Sequence, residues 1–332
     1  MNYELLMQRC VAIGNSALGH TYPNPNVGAL IYKDGKIISE GYTGSSGQNH
    51  AEINAIENIN DKKYLENSTM VVTLEPCSHY GKTPPCTKKI IESKIKTVII
   101  GCKDPNLLVN GSGIDQLINN NIDVKVGILE NECLELHKRF FTFQTKKRPY
   151  IILKWAESKD GFISPKKNTK NKGKVNYLTK MNDRVLVHKW RREEESILIG
   201  VQTLIDDNPK LTNRYFQGRS PVKIIFDPNN RADENSDFFK SKNYLHITNK
   251  KLKIKKNSDK KIFLKKALKF LYNKEISSIL VEGGSFTIQQ FIDQKVFDEI
   301  RIFKTNKKLI SGTKAPILRK NTEEQKVKIY NS

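Results

Sequence analysis

Three side chains that could hold a metal ion lie in the N-terminal part of the chain. His50 is followed two positions later by Glu52, and the stretch TLEPCSHYGKTPPC, residues 73–86, contributes Cys77 and Cys86. Imidazole and thiolate are ligands that zinc prefers, and a catalytic zinc site keeps three protein ligands and one open position. Two thiolates also offset the charge of the ion, which lowers the cost of burying it. The sequence therefore predicts a zinc site formed by His50, Cys77 and Cys86.

Glu52 is the candidate proton carrier of this site. Zinc acidifies a water molecule that it binds, and a nearby carboxylate can move protons while that water attacks an sp² carbon. The order H-x-E followed by P-C is typical of zinc-dependent deaminases, although here eight residues, rather than two, separate the cysteines. Taken singly, the cysteines could be unrelated loop thiols and His50 a helix cap. A structural zinc closed by His79 is a further alternative, but Glu52 beside His50 favours catalysis.

The elements that would position these residues can be predicted from the first 145 residues. Strand-like and helix-like patterns alternate there, which predicts a three-layer α/β domain. Asp34-Gly35 is typical of the turn of a β-hairpin. Buried strands are predicted at 69–74 and 97–102, another strand at 124–129, and helices at 1–18, 50–58, 87–94, 113–120 and 131–145.

A boundary is predicted at TKKRP, residues 145–149, because a second series of strand-like runs follows it. These runs are PYIILKWAES, SILIG, PVKIIFD, SSILVEGG and EIRIFKT, and they indicate a second α/β unit. The lysine-rich stretches 165–174 and 249–261 are predicted to be loops. We therefore expect one domain at 1–145 and another at 149–332.

Length and cysteine content agree with an intracellular enzyme of two domains. The chain has 332 residues, and its start, MNYELLMQRC, lacks the basic and apolar regions of a secretory signal. No stretch approaches the ~20 apolar residues of a membrane span. Five cysteines are too few and odd in number for a disulfide framework. We expect a reduced, cytoplasmic compartment and no membrane partner.

The formal net charge of +22 admits two interpretations. Lysine is spread over the whole chain together with abundant Asn and Ile, which indicates compositional bias. A basic surface would also raise the local concentration of a phosphate-bearing substrate. Alternatively, the charge could serve a polyanion such as nucleic acid.

Two segments of the first half resemble a known family. TLEPCSHYGKTPPC and TYPNPNVGA, residues 21–29, are similar to the deaminase half of the bifunctional riboflavin-pathway deaminase–reductases. The resemblance implies a cytidine-deaminase-like fold and a diaminopyrimidinone substrate that carries a ribosylamino 5-phosphate. It also implies that Asn24, His79 and Lys82 help to hold that substrate. The alternative is that Asn24 is a turn residue and Lys82 a solvated charge.

Three segments of the second half resemble the reductase half of the same family. They are KWAESKDG at 154–161, SILIGVQTLIDDNPKLTNR at 196–214 and VEGGSF at 281–286. The resemblance implies a dihydrofolate-reductase-like fold and hydride transfer from NADPH, with Lys154 near the ribose hydroxyls. NADPH contacts are implied for Ala156, Tyr177, Thr203, Asp207, Pro228, Gly284, Ser285, Phe286, Thr287, Ile288, Gln289 and Gln290. Substrate contacts are implied for Val175, Arg191, Leu211, Arg214 and Glu282.

Some of these implied contacts have their own physical reason. Glycines before the helix that starts at Ser285 let backbone amides approach a pyrophosphate. Arginine suits a phosphate because its planar fork gives paired charge-assisted bonds. Read alone, Arg191 and Arg214 would be surface residues. The chain departs from the family at Val175, which replaces a serine, and at Tyr177, which replaces a tryptophan.

The sequence thus predicts a bifunctional enzyme that uses Zn²⁺ and NADPH on a phosphorylated pyrimidine, with no nucleic-acid partner and with homo-oligomerisation left open. Two enzyme alternatives are an active deaminase with an impaired reductase half and a nucleic-acid or nucleoside deaminase with an accessory domain. A third alternative is a basic RNA-binding protein with a structural zinc.

Overall fold

The computed structural model describes residues 2–81, 83–106, 109–166, 176–255, 260–318 and 326–332. The chain forms two compact units, Met1–Lys147 and Arg148–Ser332. Within the described ranges, no helix is both long and apolar enough to cross a bilayer.

The first unit surrounds a mixed β-sheet with helices. Its strands are β1 (Gly28–Lys33), β2 (Lys36–Tyr42), β3 (Thr69–Leu74), β4 (Thr97–Cys102) and β5 (Asp123–Val126). Its α-helices are α1 (Tyr3–Ala17), α2 (Ala51–Glu57), α3 (Cys86–Glu92), α4 (Ser112–Asn119), α5 (Glu130–Leu136) and α6 (Lys138–Lys146). The strand order is β2-β1-β3-β4-β5, with β1 antiparallel to β2 and β3, and with β3, β4 and β5 parallel.

The local sequence explains the central elements of this unit. Every residue of β3 is buried, as a strand with neighbours on both sides and helices on both faces requires. Asp34 and Gly35 both have positive φ, as the two central residues of a type I′ hairpin turn do. The predicted hairpin and the strands at 69–74 and 97–102 are therefore confirmed.

Two predictions for this unit were wrong in their extent. The strand predicted to reach residue 129 ends at Val126, because Gly127 has a φ of 91° and turns the chain away from the sheet. The single helix predicted at 131–145 is two helices that meet at His137. The His137 side chain is fully buried, and its Nε2 lies 3.0 Å from Thr73 Oγ1, so a tertiary contact interrupts the helical pattern.

The second unit is built on a larger, parallel sheet. Its strands are β6 (Tyr150–Glu157), β7 (Phe162–Pro165), β8 (Ser196–Gly200), β9 (Val222–Phe226), β10 (Tyr244–Ile247), β11 (Ser278–Val281), β12 (Glu299–Lys304), β13 (Gly312–Lys314) and β14 (Lys326–Asn331). Its helices are α7 (Met181–Glu193), α8 (Val201–Asp207), α9 (Lys260–Asn273) and α10 (Ser285–Asp293). Among the described strands the order is β10-β9-β8-β11-β6-β12-β14, with parallel neighbours throughout, while β7 and β13 form a separate antiparallel pair.

Alternate side chains of β6 pack against helices on opposite faces of this sheet. Ile151 and Leu153 belong to the core cluster that includes α9 and α10, whereas Tyr150 and Ile152 pack with α7. The period of two is that of any strand, and burial on both faces explains the nearly continuous apolar runs. Because the strands are parallel, the carboxyl ends of β6, β8 and β11 lie at one edge of the sheet.

The predicted strands of the second unit are confirmed, but several elements were not predicted. These are β7, β10, β13, β14, α7 and α9. Of the stretches predicted as loops, 167–174 and 256–259 lie outside the described residues, and Lys260 and Lys261 belong to α9. The helix α9 begins within a lysine-rich stretch that was predicted to be a loop, and α7 carries Arg184 and Arg191 on the face that lines a cavity, so neither sequence shows a plain apolar stripe.

Candidate active sites

The first candidate site is formed where β3, α2 and α3 meet. His50 is the N-cap residue of α2, Cys77 lies in the loop after β3, and Cys86 is the first residue of α3. His50 Nδ1 lies 3.5 Å from Cys77 Sγ and 3.3 Å from Cys86 Sγ. The ligand atoms of all three residues lie within 4.8 Å of one another. The predicted metal-binding residues are thus brought together.

The donor set fits zinc. One imidazole and two sulfurs are borderline and soft ligands, and three of them leave one position of a tetrahedral site open. Among the described residues, His79 is not part of this group, so it does not close the site as a fourth ligand. The Cys86 backbone N–H donates to Cys77 Sγ at 3.3 Å, a bond that supports the charged thiolate a metal requires.

The electrostatics of this group also favour a charged cysteine. Hydrogen bonding with Cys86 and with His50 lowers the pKa of Cys77 to about 4. The hydrogen bond with Cys77 raises the pKa of His50 to about 9. Hydrogen bonding with Cys77 and burial raise the pKa of Cys86 well above its usual value. A cation bound here would replace the proton that these side chains share.

Glu52 lies in the first turn of α2, and its side chain is buried beside the ligands. It is 4% exposed, and this burial raises the pKa of its carboxyl group to about 7. Glu52 is not a member of the ligand group of His50, Cys77 and Cys86. A buried carboxyl group that adjoins a metal site without ligating is suited to carrying protons.

Of the three predicted substrate residues of the first unit, Asn24 and His79 belong to the described part of the chain. Asn24 lies in a turn, where its backbone N–H donates to the carbonyl of Thr21 at 2.9 Å. His79 is half-buried, and its Nδ1 is buried without a hydrogen-bond partner among the described residues. Lys82 lies outside the described residues.

Glu75 is a residue of this site that the sequence analysis missed. Its carboxylate is buried and accepts hydrogen bonds from the backbone N–H groups of Asp104, Gly111, Gly113 and Ile114, at 3.0–3.4 Å. It therefore binds the loop that leads into α4, two residues before Cys77. The signal available in the sequence was an acidic residue directly after TMVVTL, a run that was predicted to be a buried strand.

The second candidate site is a cavity of about 340 Å³ in the second unit. Its wall includes the carboxyl-terminal part of β6, the segment after β11, and the inner faces of α7 and α8. Among the residues predicted for NADPH, the wall contains Ala156, Tyr177, Thr203, Asp207, Gly284, Ser285, Phe286 and Ile288. Among those predicted for substrate, it contains Arg191, Leu211, Arg214 and Glu282.

Other predicted residues of the second unit are not on the cavity wall. The carbonyl of Pro228 accepts from the Asn249 N–H, and the Gln289 side chain bonds the backbone of Ile317 at 2.8 and 3.3 Å. Thr287 packs against Gly200, where a Cβ would lie 2.2 Å from Thr287 Oγ1. Gln290 is also absent from the wall, and Val175 lies outside the described residues.

Glu282 is the centre of charge in the cavity. Arg191 Nε and Nη2 donate to its two carboxylate oxygens at 2.8 and 2.9 Å, and Lys154 Nζ lies 3.8 Å away. Burial opposes ionisation, but Arg191 and Lys154 outweigh it and lower the pKa of Glu282 to about 2. Burial lowers the pKa of Lys154 from its usual value. The three side chains form a buried network of ion pairs and charge-assisted hydrogen bonds.

His188 is a second residue that the sequence analysis missed. It lies on the cavity wall, and its Nδ1 accepts from the backbone N–H groups of Arg214 and Tyr215 at 2.7 and 3.3 Å. Burial, together with the charges of Arg191 and Arg214, lowers the pKa of His188 to about 4. The neutral ring therefore holds the backbone that carries Arg214.

The comparisons with known proteins cover both units. Residues 1–102 match the cytidine and deoxycytidylate deaminase zinc-binding region, and residues 149–329 match the RibD C-terminal domain. The riboflavin biosynthesis protein RibD of Aquifex aeolicus is 36% identical to this chain, over 97% of this chain and 92% of the relative. That of Actinobacillus pleuropneumoniae is 34% identical over 93% of this chain and 85% of the relative.

Two solved structures are similar over nearly the whole chain. One is a diaminohydroxyphosphoribosylaminopyrimidine deaminase/5-amino-6-(5-phosphoribosylamino)uracil reductase from Thermotoga maritima, with a TM-score of 0.84 and 35% identity over 96% of this chain and 92% of that one. The other is RibD from Acinetobacter baumannii, with a TM-score of 0.82 and 26% identity over 96% and 90% of the two chains.

The fold and the matched domains define a bifunctional enzyme in which a zinc-dependent deaminase is joined to an NADPH-dependent reductase. More specifically, the chain belongs to the RibD family of riboflavin biosynthesis proteins. The predicted family, the α/β fold class and the two cofactors are thereby confirmed.

Proposed function

We propose that the deaminase half acts on 2,5-diamino-6-ribosylamino-4(3H)-pyrimidinone 5-phosphate and that the reductase half acts on the deaminated product. The similar Thermotoga maritima protein is named for these two activities. The observation that carries the deaminase assignment is the convergence of His50, Cys77 and Cys86 within 4.8 Å, with Glu52 buried beside them.

In the deaminase half, the roles follow from position. His50, Cys77 and Cys86 would hold the zinc ion, which supplies the Lewis acidity that makes a water molecule a nucleophile at neutral pH. The Glu52 carboxylate takes a proton from the attacking water and gives it to the departing amino group. Asn24, His79 and Lys82 hold the substrate. The buried, unpartnered Nδ1 of His79 supports its share of this role.

In the reductase half, the residues of the cavity wall would hold both the cofactor and the substrate. Bound NADPH supplies a hydride for the carbon that joins the ribose to the pyrimidine, so the residues of the chain need only to align the reactants. Gly284 and Ser285 begin α10, where backbone N–H groups favour a pyrophosphate. Leu211, Arg214 and Glu282 face the substrate, while Ala156, Tyr177, Thr203 and Asp207 contact the cofactor.

We further propose residues 1–145 as the deaminase domain and 149–332 as the reductase domain. The binding partner of both is a small phosphorylated pyrimidine rather than nucleic acid. The five cysteines are free, which supports a reduced compartment such as the cytoplasm.

The proposal is tested by supplying the diaminopyrimidinone ribotide to the zinc-loaded chain, with and without NADPH, and identifying the products by mass. Without NADPH, we expect the deaminated uracil with ammonia release; with NADPH, we expect the ribityl product. Recovery of unchanged ribotide in both reactions would overturn the proposal.

A second candidate is an active deaminase with an impaired reductase half. The observation that favours it is Tyr177 on the cavity wall, where the related family has the larger tryptophan. In the same experiment, deaminated uracil that persists with NADPH present would support this candidate.

A further inference from the structure

One face of α7 is turned toward the reductase cavity. Arg184, His188 and Arg191 are spaced four and three residues apart, which brings them onto one side of a helix, and all three line the cavity. Two of them are engaged within the protein. His188 holds the backbone of Arg214, and Arg191 is bound to Glu282.

Arg191 has little binding capacity left for a ligand. Its Nε and Nη2 donate to the two oxygens of Glu282, and its Nη1 donates to the carbonyl of Thr212 at 3.0 Å. The carboxylate of Glu282 also neutralises the charge of the Arg191 guanidinium group, because two short, parallel hydrogen bonds join them. The position of Arg191 therefore suits holding Glu282 in place better than binding a phosphate group.

Arg184 is in the opposite situation. Its guanidinium group lies over the ring of Tyr177, 4.5 Å from the centroid, and it forms no ion pair with any carboxylate of the described residues. Its Nε is buried without a hydrogen-bond partner among those residues. A buried donor without an acceptor is costly, and the cost is removed when a ligand supplies the acceptor. An oriented, unneutralised guanidinium group in a cavity wall matches a phosphate.

Arg214 is the second guanidinium group on the wall without an acidic partner among the described residues. Its Nη1 donates to Thr212 Oγ1 at 3.0 Å, and its guanidinium lies 5.5 Å from the ring centroid of Tyr215. His188 lies on the same face of α7 as Arg184 and holds the Arg214 backbone, and both arginines line the cavity.

We propose that Arg184 binds the phosphate group of the reductase substrate together with Arg214, while Arg191 positions Glu282. This inference rests on the proposed function of the reductase half and adds a residue to its substrate site. Arg184 also touches Tyr177, a proposed cofactor contact. The substrate phosphate is favoured over a cofactor phosphate because the other two residues of this helix face, His188 and Arg191, hold Arg214 and Glu282, which are both proposed substrate residues.

The test compares Arg184→Gln with the wild type on two substrates, 5-amino-6-(5-phosphoribosylamino)uracil and its dephosphorylated counterpart, with NADPH oxidation as the readout. Loss of a charge-assisted contact should raise the KM for the phosphorylated substrate by about 10- to 100-fold. The dephosphorylated substrate has no group for Arg184 to bind, so its kcat/KM should change little. The KM for NADPH should also remain unchanged. Arg184→Lys should show a smaller rise, because it keeps the charge but loses the fork.

Lys189→Gln is the matched control. It removes one positive charge from the same helix, but Lys189 is exposed and pairs with Glu193 at 3.9 Å, outside the cavity wall. Melting curves of all variants report folding, and if the glutamine variant fails to fold, Arg184→Lys carries the comparison.

Two results would overturn the inference. One is an equal loss of kcat/KM on both substrates, and the other is a rise in the KM for NADPH with the substrate KM unchanged. A wild-type chain that does not oxidise NADPH with either substrate would instead contradict the proposed reductase function itself.

Discussion

Glu52 combines two properties at the scale of the residue. Its carboxyl group is almost fully buried, and it lies two positions from His50, a proposed zinc ligand, without belonging to the group of His50, Cys77 and Cys86. Burial explains its raised pKa of about 7. A carboxyl group with such a pKa exchanges protons readily near neutral pH. The role of Glu52 can therefore be separated experimentally from zinc binding.

Glu52→Gln should retain zinc and lose ammonia release by at least about 100-fold, because an amide cannot carry the proton. Zinc content by elemental analysis and ammonia release by a coupled assay check this expectation. Glu57→Gln is the control, since Glu57 lies on the same helix, is half-exposed and pairs with Lys89. Unchanged deamination by Glu52→Gln would remove this residue from the mechanism.

The metal ligands could be predicted from sequence because zinc demands few residue types, and Glu52 stands out beside them. The supporting residues could not be predicted in this way. Glu75 and His188 act through hydrogen bonds to backbone groups at least 26 positions away in the chain. Backbone partners leave no trace in residue type, so these contacts become visible only in three dimensions.

At the scale of the element, the loop between β4 and α4 depends on the carboxylate of Glu75. Its acceptor oxygens satisfy several buried N–H groups, including those of Gly111 and Gly113 at the start of α4. Gly113 approaches so closely that a Cβ there would lie 2.2 Å from the carbonyl oxygen of Pro76. The loop, α4 and the segment that carries Cys77 therefore form one packed region.

Glu75→Ala should lower the free energy of unfolding of the first unit by roughly 2–5 kcal/mol, because several buried donors lose their acceptor at once. Thermal melting and zinc retention are the measurements. Glu66→Gln serves as the control, since Glu66 pairs with Lys94 on the surface at 3.3 Å. Equal melting temperatures for Glu75→Ala and the wild type would show that the loop does not need this carboxylate.

The junction of α5 and α6 should have a measurable effect on how the stability of the protein depends on pH. Burial lowers the pKa of His137 to about 3, against an unfolded value near 6.5. Between these values the unfolded chain binds a proton that the folded chain excludes, so stability falls as the pH decreases below 6.5. The slope from this residue is at most about 1.4 kcal/mol per pH unit.

The stability advantage of the wild type over His137→Gln should therefore shrink as the pH is lowered from 7 toward 4. Melting temperatures of both zinc-loaded chains across this range test the expectation. Acid release of zinc affects both proteins alike, so the difference between them isolates His137. A difference in melting temperature between the two proteins that stays constant at every pH would contradict this expectation.

At the scale of the whole molecule, each candidate site is composed of residues from a single unit. His50, Glu52, Cys77 and Cys86 belong to Met1–Lys147, and the lining of the reductase cavity belongs to Arg148–Ser332. The two activities should therefore be separable by changes confined to one unit.

Removal of zinc by a chelator should abolish deamination and leave NADPH-dependent reduction of the deaminated substrate within about twofold of its starting rate. Readdition of zinc should restore ammonia release. A parallel loss of both activities that zinc restores together would show that the reductase also depends on the ion.

Arg214→Ala should produce the reverse pattern, with a rise in the reductase KM of about tenfold or more and unchanged ammonia release. Arg214 lines the reductase cavity, and its guanidinium group has no acidic partner among the described residues. Steady-state assays of both reactions on the same preparation provide the check. An equal fall in deamination would contradict the division into two sites.

The fold class and the positions of the central strands were accessible from sequence because buried parallel strands are continuous apolar runs, as SILIG and SILV are. The helices α7 and α9 were not predicted, because α7 carries charged residues on the face that lines the cavity and α9 begins within a lysine-rich stretch. The cavity was not predictable from residue patterns, because its wall combines segments separated by more than a hundred residues, such as Lys154 and Glu282. The expected lining residues came from the family resemblance instead.

The shared direction of β6, β8 and β11 has a practical consequence for protein engineering. Residues at and after the carboxyl ends of these strands line the cavity, so the turns at the amino ends lie at the opposite edge of the sheet. The exposed turn at Lys274-Glu275, between α9 and β11, is one such position. A reporter domain or an affinity peptide inserted there would leave the reductase cavity intact, which offers a handle for immobilising the enzyme on a support.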